Sequence, residues 1–437
     1  MKKYDTYKDS GIEWIGEIPE HWDEIRMRYL GFLYGGLSGK SAKDFNQDSN
    51  PNNKPFIPFT NIYNNTEIDI ENLQTVVINE NENQNKAKKN DLFFLMSSEN
   101  YDDVGKSAVL TEDVSEVYLN SFCKGFRITD KAVDSKFLNY LLFSKPLRHA
   151  LMIEANGFTR INLKIDKISD LNVLLPPTSE QIAIADYLDR KTAEIDELIV
   201  DKEKLIELYE EEKTAIINEL VTGKIVWNGN AWVEPAEVKD SGVEWLGEIP
   251  EHWEVKRFKY YFNLITEKCE ENLLKIGLEN IESKSGKFIE TDSDFAGQGI
   301  RFKPNDILFG KLRPYLAKVW LSNFDGQAVG DFYVFRSKQE VLPKFAQYRI
   351  LDSLFIEVTN SSTYGSKMPR VSWEFIADLP IAIPPLSEQT TIVQHIESES
   401  ARIDAKIANA KKLIDLLKEY RTALISEVVT GKIKVVD

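Results

Sequence analysis

The chain has 437 residues, of which 42% are hydrophobic and 11% aromatic. That supplies ordinary buried cores and suggests two or three domains, which excludes a disordered or collagen-like protein. Its net charge of −16, taken alone, argues against nucleic-acid binding. Most of that excess, −11, lies in residues 178–250, however, so the two large segments on either side are nearer neutral and can carry a basic face.

The N-terminal stretch MKKYDTYKDSGIEW has no apolar core behind its lysines, so no secretory signal is expected. No run approaches the roughly 20 apolar residues of a membrane span, and no membrane partner is expected. Cys123 and Cys269 are too few for a disulfide framework or a cysteine zinc site. Two reduced thiols in a cytoplasmic protein are expected. His21, His149, His252 and His395 are too scattered for a metal centre.

The chain repeats itself. Asp9–Trp22 reads DSGIEWIGEIPEHW and Asp240–Trp253 reads DSGVEWLGEIPEHW, with 12 of 14 positions identical at an offset of 231. Leu175–Gln181 (LPPTSEQ) and Ile383–Gln389 (IPPLSEQ) recur at an offset of 208, as do ELVTGKI (Glu219–Ile225) and EVVTGKI (Glu427–Ile433). Each half is therefore a block of variable length followed by a block of fixed length. The variable blocks share only echoes. Asn90–Phe94 (NDLFF) answers Asn305–Phe309 (NDILF), Phe126–Arg127 answers Phe335–Arg336, and Arg160 and Arg370 both precede the double proline.

The fixed blocks read as long helices. Pro176–Pro177 and Pro384–Pro385 stop the preceding strands. Ser179 and Ser387 are the N-cap candidates, and Gly223 and Gly431 are natural C-terminal stops. A heptad seam runs Ala185, Leu188, Ile195, Ile199, Ile206, Tyr209, Ile216, Leu220, and its counterparts 208 residues on are all apolar. Thr192, Lys202, Lys213, Ser400 and Arg421 interrupt it. Two such rods in one chain most simply pair as a coiled coil. Glu207 and Glu211 lie on the acidic outer face of the first, a solvated face or a docking surface for a basic partner.

No catalytic set is legible. GGLSGKS (Gly35–Ser41) has Tyr34 where a phosphate loop needs glycine. FAGQG (Phe295–Gly299) matches a methyl-donor loop, but its companion [DN]PP[YFW] is absent, since the only double prolines open the helices. The chain is expected to bind rather than react.

Together the duplicated EIPEHW, the duplicated PPxSEQ and the long helices ending in VTGK resemble the specificity (S) subunit of bacterial type I restriction–modification systems. DILFGKLRPYL (Asp306–Leu316) and MPRVS (Met368–Ser372) are further strings similar to that family. The resemblance implies an α+β fold. Two α/β target-recognition domains would be separated by an antiparallel pair of long coiled-coil helices, with an internal pseudo-twofold repeat. The expected boundaries are 1–175 for the first recognition domain, 176–224 for the first helix, 225–383 for the linker and second domain, and 384–437 for the second helix. It also implies a non-catalytic subunit that reads a bipartite, asymmetric target in double-stranded DNA. Two modification subunits would dock on it, with restriction subunits joining the full complex. No cofactor is expected in this chain; S-adenosylmethionine, ATP and Mg2+ belong to the partners.

Base readout needs amide, hydroxyl or cationic side chains on exposed loops, and phosphate contacts need cations or hydroxyls. The DNA-binding candidates are Lys40, Ser41, Lys43, Asn61, Lys106 and Arg160 in the first domain, and Lys311, Arg313, Tyr315, Tyr364, Ser366, Lys367 and Arg370 in the second. The repeated aromatics Trp14, Trp22, Trp245 and Trp253, which suit a core or a docking face, are the subunit-docking candidates together with Glu207 and Glu211.

Overall fold

The structure, a computed structural model, describes residues 2–12, 14–47, 49–157, 159–291, 295–365 and 367–435. The chain divides into two units. The first comprises residues 1–202 and 412–437, and the second residues 203–411. The long helices run Thr178–Thr222 and Leu386–Val429, so each unit contains a stretch of both.

Each helix starts directly after its double proline, and the carbonyls of Pro177 and Pro385 accept the first helical N–H groups. Ser179 and Ser387 therefore lie inside the first turn instead of capping it. A proline carbonyl can open a helix while its ring blocks extension backwards. The heptad seam faces inward. Leu188, Ile396, Ile403 and Val428 are wholly or almost wholly buried.

Within each unit the helices pair antiparallel. In the first unit Arg421 contacts Asp196 at 3.0 Å. In the second, Lys213 contacts Asp404 at 2.7 Å and Lys406 lies 4.9 Å over the Tyr209 ring. Two of the charges that interrupt the seam are thus used. Lys213–Asp404 and Asp196–Arg421 are the same contact with the helices exchanged, because each residue maps onto its counterpart at offset 208. The Lys145 N–H donates to Ser426 Oγ and the Ser353 N–H to Asn218 Oδ1, which repeats the exchange.

The repeated motifs explain one another. The His21 ring nitrogen (2.8 Å) and Trp22 Nε1 (3.3 Å) grip the Glu180 carboxylate at the start of the first helix. His252 (2.7 Å) and Trp253 (3.1 Å) grip Glu388 at the start of the second. The glycine of VTGK closes the other side. A Cβ on Gly431 would lie 2.3 Å from Pro19 Cδ, and one on Gly223 2.6 Å from Pro250 Cδ. Both glycines have positive φ (72° and 78°), where side chains are disfavoured. So each EIPEHW joins the beginning of one long helix to the end of the other. Gln181 and Gln389 complete the lock by accepting the Asp134 and Leu342 N–H groups at the starts of two shorter helices, Ser135–Phe143 and Pro343–Leu351.

The variable blocks share one sheet despite their sequences, while a second sheet has four strands in the first unit and three in the second. A four-stranded antiparallel sheet runs Ser107–Val109, Leu92–Leu95, Cys123–Ile128, Gly31–Gly35 in the first unit. Its counterpart in the second runs Val319–Leu321, Asp306–Gly310, Phe332–Ser337, Phe262–Ile265. The echoes are built into it. Asn90 and Asn305 take left-handed turns (φ 69° and 71°), which asparagine tolerates. The aspartates that follow make bidentate pairs, Asp91 with Arg127 and Asp306 with Arg336. Two helices follow in each unit, Ser135–Phe143 with Lys145–Ile153 and Pro343–Leu351 with Ser353–Ser361. The offset is already 208 here, so the fixed-length block begins near Asp134 and Leu342, ahead of the double prolines.

The same logic links the linker to the chain ends. Val226 pairs with Val233 in the linker hairpin, and Lys434 bridges Lys2. The offsets of 208 and 231 map one pair onto the other. In the second unit Trp232 of this hairpin stacks on His395 at 4.5 Å.

Candidate nucleic-acid interface

A small hairpin occupies the same place in both units. In the first, Asn156 and Asn162 exchange backbone hydrogen bonds of 3.0 and 2.9 Å, and Asn162 pairs with Ser97. In the second, Tyr364 and Arg370 exchange bonds of 3.0 Å, and Arg370 pairs with Leu312. Residues 156–162 map onto 364–370 at offset 208. Arg370 therefore corresponds to Asn162, and Arg160 to Met368, which corrects the equation of the two arginines suggested by sequence. Each hairpin turns close to itself through Gly157 or Gly365. A Cβ on Gly157 would meet the Arg160 carbonyl at 2.0 Å, and Gly365 has φ 92°. Ser366 lies outside the described residues.

The side chains on these equivalent supports differ completely. In the first unit the exposed Arg160 lies 5.4 Å over the ring of Phe122, which is itself 57% exposed. In the second, Tyr364 and Met368 are exposed, as are Lys367 and Arg313. The Arg313 N–H donates to the Pro369 carbonyl at 2.8 Å, tying its turn to the hairpin. Tyr315, also exposed, sits in the short turn that follows Arg313. Lys311 Nζ rests 5.2 Å over the Tyr333 ring.

Several candidates serve the fold instead. Arg370 is a strut, donating two hydrogen bonds of 2.9 and 2.8 Å to Asp331. This guanidinium holds the Asp331 carboxyl below its usual range. Asn61 is buried and staples the following loop, donating to the Asp69 carbonyl and accepting the Asp69 N–H. The Lys40 side chain, 6% exposed, pairs with Glu82 and donates to the Val77 carbonyl. Those geometries leave Arg370, Asn61 and Lys40 little freedom to meet DNA. Ser41 caps its own turn through Asp44, with Lys43 exposed beside it. Lys106 pairs with Asp103 at 2.7 Å and lies 4.6 Å over Tyr63.

The docking candidates also separate. Trp22 and Trp253 are fully buried and spent on Glu180 and Glu388, so they are keystones of the fold and offer no docking surface. Trp245 is half-buried beside Arg349, at 5.4 Å. Trp14, Glu207 and Glu211 are exposed. Sequence reasoning missed Phe122, Asp331 and Tyr333. Nothing in a lone phenylalanine, or in an aspartate 39 residues from its arginine, announces such contacts before the fold is known.

The model of the type I restriction modification DNA specificity domain matches this chain twice, over residues 22–208 and 250–418. The chain belongs to this family. The two matches coincide with the internal repeat, and they override the inference from net charge against nucleic acid. The chain is 23% identical to the EcoDI specificity subunit of Escherichia coli over 332 residues, covering 72% of this chain and 73% of that one. It is 25% identical to the MjaIX specificity subunit of Methanocaldococcus jannaschii, covering 96% and 95%. Among solved structures, a chain from a study of assembly and conformational transition in the type I R-M system aligns with a TM-score of 0.71 at 13% identity, covering 95% and 99%. The HsdS subunit of Thermoanaerobacter tengcongensis aligns at 0.55, also at 13% identity, covering 95% and 98%. These last two are likenesses of fold. Among the described residues no helix is long and apolar enough to cross a membrane.

Proposed function

We propose that this chain is the DNA-reading, non-catalytic subunit of a type I restriction–modification complex, with each unit reading one half of a bipartite, asymmetric target. The observation that carries this reading is the pair of equivalent hairpins, 156–162 and 364–370, bearing unrelated side chains. One support with two chemistries reads two different half-sites, so the target is not a palindrome. Arg160, Lys43 and Ser41 in the first unit, and Arg313, Tyr315, Tyr364, Lys367 and Lys311 in the second, are the contacts we assign to DNA. The paired helices fix the gap between half-sites, since two linked modules gain affinity only when their spacing fits.

Two modification subunits supply S-adenosylmethionine chemistry, and restriction subunits supply ATP and Mg2+ chemistry. Trp14, Glu207 and Glu211 are the exposed positions we assign to subunit docking. The acidity of residues 178–250 means that partner subunits furnish much of the nonspecific phosphate attraction. Selection from a random duplex library by the complex of this chain with its modification subunit tests the reading. Enrichment of a gapped, two-part sequence that the modification subunit alone does not select supports it. Equal enrichment with and without this chain overturns it.

A further inference from the structure

The second recognition surface divides its cations by what already holds them. Arg370 is committed to Asp331 through two hydrogen bonds. Lys311 is laid over Tyr333. Arg313 makes no side-chain hydrogen bond or ion pair among the described residues and is exposed. Its backbone is unusual, with φ 51° and ψ 63°, left-handed at a non-glycine residue that also precedes a proline. Such a conformation is strained and persists only where the surroundings over-determine it. Here they do. The Arg313 N–H is held by the Pro369 carbonyl at 2.8 Å, and Ala317, which closes the same short turn, is left-handed too (φ 47°). A guanidinium is thus presented from a left-handed turn anchored to the hairpin, in a segment where Tyr315 and Tyr364 are also exposed.

We propose that Arg313 reads a guanine in the half-site of the second unit, that Lys367 contacts phosphate, and that Arg370 is a positioning residue that holds the hairpin. Resting on the reading above, this assigns one base to one side chain. A planar guanidinium donates two parallel hydrogen bonds to guanine O6 and N7 in the major groove, a pattern no other base pair offers. A pre-set backbone lowers the ordering cost of that fork, whereas the flexible ammonium of Lys367 suits a phosphate, which bears no sequence information.

The test compares adenine methylation directed by the complex of modification subunit with wild-type, R313A or K367A chain. With R313A we expect the mark to lose its requirement for one guanine in one half-site, the other half-site being unchanged. With K367A we expect the wild-type sequence at lower occupancy, and a salt slope of binding shallower by about 1. Retention of every guanine requirement by R313A overturns the assignment. If R313A directs no mark at all, binding decides. The wild-type complex should lose about 5- to 150-fold on a duplex with 7-deazaguanine at the decisive position, and R313A should be indifferent to it. Indifference of the wild type at every guanine of that half-site overturns the assignment. Absence of any two-part mark with the wild-type chain is the separate failure of the function proposed above.

Discussion

Substituting the two keystone glutamates by alanine should destabilise the chain unequally. Glu180, with a side chain 9% exposed, accepts from Tyr4 Oη at 2.6 Å, from the largely exposed His21 and from buried Trp22 Nε1. Burial and the neighbouring carboxylate push the Tyr4 phenol well up, so it stays a donor across the working pH range. Among the described residues Glu388, 17% exposed, holds only His252 and Trp253, and the position matching Tyr4 is Pro235. A hydrogen bond to a charged group contributes about 1.5–3 kcal/mol, and a buried donor left unpaired costs about 1–3 kcal/mol. The exposed histidine contacts add little. E180A should therefore cost about 4 kcal/mol and E388A about 2 kcal/mol. E180Q, which keeps an acceptor, should recover part of the loss. Urea unfolding followed by tryptophan fluorescence and circular dichroism reads both. If E388A costs as much as E180A, or both cost less than about 1 kcal/mol, the keystone reasoning is wrong.

Three other outcomes follow from particular contacts. G431A should lose about 3 kcal/mol, because strain at positive φ adds to overpacking against Pro19, while G229A, also at positive φ but with open space around it, should lose only about 1 kcal/mol; equal losses in thermal melts would refute the packing argument. The carboxyl of Asp331 is held below its unfolded value by Arg370, so its support for the 364–370 hairpin is complete above about pH 4 and is lost as pH falls through the folded value. Amide exchange at Tyr364 and Arg370, corrected for intrinsic rates, should accelerate over that acid range in the wild type and be fast already at neutral pH in D331N; slow exchange in D331N contradicts the strut. Finally, since Val226–Val233 maps onto Lys434–Lys2, a chain opened at Asn228–Gly229 with its ends joined by about six Gly/Ser residues should direct the same methylation pattern as the parent, and an altered pattern would deny the equivalence.

The long helices were legible because they obey local rules: proline before, glycine after, and an apolar residue at each seam position. The repeat was legible as identity. What the repeat does was not. EIPEHW, PPxSEQ and VTGK read as three separate strings, yet they meet only in space, on Glu180 with Gly431 and on Glu388 with Gly223. The same limit applies to the candidate recognition surfaces. Hydroxyl, amide and cationic side chains singled out positions along the 364–370 hairpin as candidates, but Arg370 and Asn61 are engaged within the fold. Their partners, Asp331 and Asp69, are defined by the sheets and loops that bring them close. The echo of Arg160 with Arg370 failed for a related reason. Equivalence follows the hairpin register, which pairs Arg370 with Asn162.

Direction of methylation to a two-part target by one chain, through two differently dressed copies of one support, is tested by single-molecule methylome sequencing in a host without adenine methylation. The host would express the modification subunit with or without this chain. A chain-dependent N6-methyladenine mark on a single gapped, non-palindromic sequence is expected. A palindromic or ungapped mark, or none from a stable complex of the two proteins, would contradict it.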